Sequence, residues 1–244
     1  MTEAPSLELP PPKLRAMVAG TDDAAWFLES GRRSVEDLMR ALAAVGRTVD
    51  SFIDVLDFGC GCGRMSRWLV DHPGIRITGI DVDAPMIEWC AAHLAGGRFE
   101  VNDGLPPTKY ADDSFDLVVN HSVFTHLNDT YQDRWLQELS RITRPDGVLV
   151  LSFSGETAFR QHEETIAAID ADIAAQERAH LDEHGILYVT DPVHKDLGFP
   201  GFYFATFHKP TYVLEHWQQW LELLAYIPRN NLDFQDAVVM RPRR

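Results

Sequence analysis

Short apolar runs alternate with amphipathic stretches along most of the chain, and the alternation sets out a β/α rhythm. Phe52 to Asp57, Ile75 to Ile80, Arg98 to Val101, Phe115 to Asn120 and Val148 to Phe153 read as strands. The stretches between them carry helical spacing. Met65, Trp68 and Leu69 share one side of a helix that Pro73-Gly74 stops. Asp83 and Pro85 suit the cap and first turn of a second helix, packed by Ile87, Cys90 and Leu94, and Tyr131, Trp135, Leu139 and Ile142 mark a third. Ahead of the first strand, Ser34 is placed to cap a helix with Val35, Leu38, Leu42 and Val45 on one face. A stiff Leu9-Pro10-Pro11-Pro12 lead-in precedes it.

After the fifth strand the rhythm breaks. Phe159, Ile166, Ile169 and Ile173 predict one long helix reaching towards His184-Gly185, and the stretch to Lys209 suits a hairpin or lid. The core resumes with a helix from Pro210, its face Val213, Trp217, Trp220 and Leu224. Closing strands follow near Leu223 to Ile227 and Ala237 to Met240. The expected fold class is α/β: a Rossmann-like, doubly wound, mostly parallel sheet of about seven strands with helices on both faces and an insertion after the fifth strand. The expected divisions are an N-terminal helical segment (1–50), a ligand-binding core (51–155), an acceptor or lid insertion (156–209) and a closing segment (210–244).

Composition narrows the partners. The 244 residues, 45% of them hydrophobic, suit one enlarged domain with a sizeable core. A formal charge of -15 disfavours nucleic acid. No apolar run reaches the roughly 20 residues of a membrane helix. The N-terminus lacks the pattern of a signal peptide, and three cysteines suit a reducing compartment, so a cytoplasmic setting is expected, without a membrane partner.

The chemistry concentrates after the first strand. Ligands of open α/β sheets bind beyond the carboxyl ends of the strands, where glycines admit a close backbone approach. Gly59, Gly61 and Gly63 form a G-x-G-x-G loop, and Asp81 ends the second strand, placed to accept hydrogen bonds from ribose hydroxyls. Arg64 breaks the G-x-G-x-x-G dinucleotide fingerprint. The segments Val55-Leu56-Asp57-Phe58-Gly59-Cys60-Gly61-Cys62-Gly63-Arg64, Ile77 to Asp83, Asp113 to Val119 and Leu139 to Gly147 resemble, in order, four motifs of class I S-adenosylmethionine-dependent methyltransferases.

That resemblance implies roles. The Gly59, Cys60, Gly61 and Gly63 backbone would lie against the methionine and ribose of S-adenosylmethionine. Asp57 would shape the loop or meet the ammonium through water. Asp81 would bind the ribose, Val82 and Met86 would flank the adenine, and Asn102 or Asp103 would meet its amine. The Asn120 carbonyl would accept from the methionine ammonium. No Asp/Asn-Pro-Pro-aromatic tetrapeptide follows the fourth strand, which reads Asn120-His121-Ser122-Val123, and no acid cluster for Mg²⁺ is evident.

The expected partner is a small acceptor, a saccharide or secondary metabolite methylated on a hydroxyl, and a homodimer is the expected assembly. An N-methyltransferase on a small amine and a non-catalytic cofactor-binding protein remain alternatives. A hydroxyl acceptor needs a base, and His121, His208 and His126 are the candidates in that order, with Tyr203 an outside choice. No metal site is expected. His180 to His184 matches H-x-x-E-H in isolation, Cys60 and Cys62 suit loop packing, and Trp217, Trp220 and Tyr226 suit the core.

Overall fold

A computed structural model of the chain describes residues 8–190 and 200–243. Five strands, β1 (Asp54–Phe58), β2 (Arg76–Asp81), β3 (Arg98–Val101), β4 (Phe115–Asn120) and β5 (Thr143–Phe153), run parallel. They form one seven-stranded sheet with β8 (Leu221–Asn231) and β9 (Gln235–Pro242), in the order β3-β2-β1-β4-β5-β9-β8. β9 is antiparallel to both neighbours. The strand order reverses between β1 and β4, which opens a crevice at their carboxyl ends.

Alternate residues of each strand feed two cores. Val55, Ile77, Leu117, Val119 and Val150 face α2 (Ala24–Ala43) and α3 (Ala84–His93). Leu56, Ile80, Val118, Leu149 and Leu151 face α4 (Asp129–Ile142) and, further along the chain, the short helix from Pro210 to His216. Burial on both sheet faces explains why the strands read as continuous apolar runs.

Several local expectations are corrected. The lead-in passes into a helix, α1 (Pro12–Ala19), because Pro12 occupies the first turn, where its missing N–H costs nothing. α2 starts well before Ser34. Asp23 caps it by accepting from the Ala25 N–H at 2.8 Å, while Ser34 is buried mid-helix and donates to the Ser30 carbonyl at 2.7 Å. Its buried stripe runs through Ser30, Gly31 and Ser34, small residues that carry no apolar signal.

The segment after the glycine loop is not an α-helix but a tight run with a 3₁₀ turn over Ser66–Trp68. α2 lies directly over it. A Cβ on Gly31 would stand 2.2 Å from the Arg64 carbonyl oxygen, and Arg64, Ser66 and Arg67 are all buried. A segment covered on all sides has no solvent face to give it helical periodicity.

The insertion holds two helices rather than one, α5 (Glu156–Ala167) and α6 (Ala171–His184). Asp170 divides them, its carboxylate accepting from the Asp172 and Ile173 N–H groups. Ile169 is 80% exposed at the turn, so the Ile166–Ile169–Ile173 spacing did not mark a core face. An antiparallel pair follows, β6 (Ile186–Val189) with β7 (Ala205–His208). The last helix is shorter than expected, α7 (Pro210–His216), and Leu224 belongs to β8. Phe159, Leu181, Leu187 and Phe207 give the insertion a small core of its own. Among the described residues no helix is long and apolar enough to cross a membrane.

Candidate active site

The carboxyl ends of β1, β2 and β4 open into a cavity of about 430 Å³. The turn after β1 is stitched to the end of β2: the Gly59 and Cys60 N–H groups donate to the Ile80 carbonyl at 2.8 and 3.0 Å. Asp81 completes the joint. Its Oδ2 accepts from Gly61 N–H at 2.8 Å and its Oδ1 from Asp83 N–H at 2.9 Å. Burial raises its pKa while these two N–H groups oppose the rise. Gly61 has φ +54, and a Cβ there would lie 2.7 Å from Val18 of α1, so the loop tolerates only glycine under this cover.

The floor carries charge. Asp57 is buried at the end of β1 and accepts from the Ser66 hydroxyl. Burial pushes its pKa up to about 6. Arg64 is 7% exposed and borders the cavity, and burial brings its pKa down to about 10. Among the described residues its guanidinium has neither a hydrogen bond nor an ion pair. On the wall, Asn102 Nδ2 donates to the Asp103 carbonyl at 2.7 Å, which leaves the buried Asn102 Oδ1 without a described partner. Val82 and Met86 border the same end.

Beyond β4 the chain turns sharply. Ser122 has φ +68 and is held there by three bonds. Its N–H donates to Ser152 Oγ at 2.8 Å, its hydroxyl to Gln235 Oε1 at 2.9 Å, and its carbonyl accepts from the Thr125 hydroxyl at 2.8 Å. The turn presents His121, Ser122 and Val123 to the cavity, opposite Phe202 and Tyr203 of the insertion.

The three candidate histidines separate. His121 borders the cavity, and burial followed by the charge of Arg64 holds its pKa well below the usual imidazole range. His126 also borders the cavity. Its Nδ1 lies 2.9 Å from the Phe204 carbonyl, Phe204 N–H donates to the His126 carbonyl at 3.0 Å, and Tyr203 stacks on its ring at 3.9 Å. His208 does not reach the cavity. It is fully buried on β7 between Phe153 and Trp217, within hydrogen-bond distance of Gln132, and burial takes its pKa down to about 3.

Of the expected cofactor residues, Asp57, Gly59, Cys60, Gly61, Asp81, Val82, Met86 and Asn102 line the cavity. Gly63, Asp103 and Asn120 do not. Gly63 serves packing, since a Cβ there would meet Leu94 at 2.5 Å, and the Asn120 side chain accepts from Ser152 N–H at 3.2 Å. Cys60 and Cys90 both point their thiols at the Gly61 carbonyl, at 3.6 and 3.5 Å, and pack the loop. Sequence reasoning missed Met17 and Val18 of α1, Trp135 of α4 and, above all, Arg64 as wall residues. Only Arg64 left a signal, and it registered merely as a mismatch to the dinucleotide fingerprint.

Residues 56–151 match the family described as methyltransferase domain. Methyltransferase GfsG of Streptomyces halstedii is 29% identical over 130 residues, which cover 51% of this chain and 44% of that protein. A malonyl-[acyl-carrier protein] O-methyltransferase of Enterobacter lignolyticus is 32% identical over 142 residues, 58% of this chain and 53% of that one. The chain thus spans about half the length of these curated relatives. The 1,6-didemethyltoxoflavin-N1-methyltransferase of Burkholderia thailandensis has the same fold, with a TM-score of 0.58 at 14% identity, covering 100% of this chain and 94% of that one. Residues 56–151 thus resemble the methyltransferase domain of class I S-adenosylmethionine-dependent enzymes, and the fold around them is the one those enzymes share.

Proposed function

We propose that the protein transfers a methyl group from S-adenosylmethionine to a hydroxyl of a small acceptor, a saccharide or secondary metabolite, within the cavity over β1, β2 and β4. The observation that carries this reading is the Arg64 guanidinium, buried in the same cavity as Asp81 with Asp57 near but no direct ion pair among the described residues. A buried guanidinium with unfilled donors is costly, and the carboxylate of the methionine moiety is a matching partner. Asp81 would take the ribose hydroxyls, Asn102 Oδ1 the adenine amine, Val82 and Met86 the adenine faces, and Asp57 the ammonium. When bound, S-adenosylmethionine supplies an electrophilic methyl group on a sulfonium. The chain supplies alignment, exclusion of water and a proton acceptor.

His126 suits the last role better than His121. A carbonyl oxygen only accepts, so Nδ1 of neutral His126 carries the proton that points at Phe204, and Nε2 is the unprotonated nitrogen of the ring. The surroundings of His121 disfavour its protonated form. His126→Ala is expected to lower the single-turnover rate by about 10²–10⁴-fold with cofactor affinity kept. An unchanged rate would remove His126 from the mechanism.

Calorimetry with S-adenosylmethionine, S-adenosylhomocysteine and NAD tests the whole reading. The first two are expected to bind in the micromolar range common for such sites, and an acceptor panel is then read by release of S-adenosylhomocysteine. Binding of NAD alone would overturn it.

A further inference from the structure

His121 borders a second, much smaller space of about 30 Å³, shared with Ser34, Asn120, Ser152 and Asn230. Two side chains there are left incomplete. Asn120 is 5% exposed, and because its Oδ1 takes the Ser152 N–H, its orientation is fixed and Nδ2 remains without a described partner. Asn230 is 3% exposed, and its Nδ2 donates to the Asp37 carbonyl at 3.0 Å, which leaves Oδ1 without one. A buried amide donor and a buried amide acceptor thus border the same space unsatisfied, an arrangement that native proteins rarely leave dry.

The space exceeds the roughly 10–15 Å³ that one water requires. Further polar atoms complete a water's surroundings. Ser152 Oγ accepts from Ser122 N–H and keeps its own proton to give. Ser34 Oγ spends its proton on the Ser30 carbonyl and so gives none to this space. His121 makes no hydrogen bond among the described residues.

We propose that this compartment is a permanent water site, in which water accepts from Asn120 Nδ2, donates to Asn230 Oδ1 and donates to the ring nitrogen of His121 on that side. A neutral imidazole that accepts at one nitrogen carries its proton on the other. His121 therefore presents an N–H, not a lone pair, to the large cavity. It is a positioning residue, oriented through water from behind.

The test uses the free protein, so it stands apart from the methyl-transfer reading and needs neither cofactor nor acceptor. Rotating-frame cross-peaks between water and the Asn120 side-chain amide, with one neutral His121 tautomer in long-range ¹H–¹⁵N spectra, are expected. Asn230→Leu removes the acceptor that orients the water, and is expected to bring the two His121 tautomers to within about threefold of each other. Water cross-peaks missing from the parent protein would overturn the proposal, as would a single tautomer that persists in a folded Asn230→Leu. Should that variant fail to fold, the parent spectra decide alone.

Discussion

At the scale of single residues, Arg64 ties stability to cofactor binding. It is buried and cationic, feels the charge of Asp57, and makes no direct ion pair among the described residues. Replacing it by an apolar side chain of similar length removes a desolvated charge, but at neutral pH leaves Asp57 without the cation that steadies it. Arg64→Met is therefore expected to raise the melting temperature of the cofactor-free protein near pH 5, where Asp57 is mostly protonated, and to gain less at pH 8. The same variant is expected to bind S-adenosylmethionine about 1.5–3 kcal/mol more weakly, the worth of hydrogen bonds to a charged group. Binding of 5′-methylthioadenosine, which lacks the carboxylate, is expected to stay unchanged. Equal weakening of both ligands in calorimetry would show that Arg64 shapes the loop instead. Asp57 makes a second case. Its pKa in the fold, about 6, lies above the ordinary 3.8. The fold thus favours its protonated form, and the stability this brings is full below pH 3.8 and lost as pH rises through 6, about 3 kcal/mol in all. Asp57→Asn, which still offers Ser66 an acceptor, is expected to exceed the parent in urea stability at pH 8 and to match it near pH 3.5.

Among the elements, the ones legible in the sequence were those with a simple relation to the core. The five parallel strands are buried on both faces, and the glycine loop with Asp81 is a local signature. What stayed hidden depends on distant neighbours. The turn after Gly63 is shaped by α2 lying across Arg64, and α1 becomes cavity wall only because Val18 meets Gly61. His208 carried the right chemistry on the wrong side of a strand, a distinction that residue type does not encode. In the insertion, three isoleucines at helical spacing were outweighed by one cap, Asp170. Asp170→Ala is expected to cost about 1 kcal/mol and to speed amide exchange in the first turn of α6, while the helices of the core keep their protection. Uniform loss of protection would mean that the hairpin is no separate unit. Residues 200–204, which reach the cavity through Phe202 and Tyr203, are expected to exchange more slowly once S-adenosylmethionine is bound.

For the whole molecule, the decisive arrangement is the place of β9 between β5 and β8. β8 precedes β9 in the chain, yet touches the sheet only through it. During synthesis β8 emerges before β9, its native neighbour, and β5 keeps a row of backbone groups open until β9 is threaded between them. The sheet can therefore close only after nearly all of the described chain is available. Its order of assembly differs from its order of translation, and the half-built sheet is a stage at which a chaperone, or another copy, finds exposed strand edge. Deletion of residues 235–243 is accordingly expected to detach two strands rather than one, and to give an aggregating product instead of a trimmed enzyme.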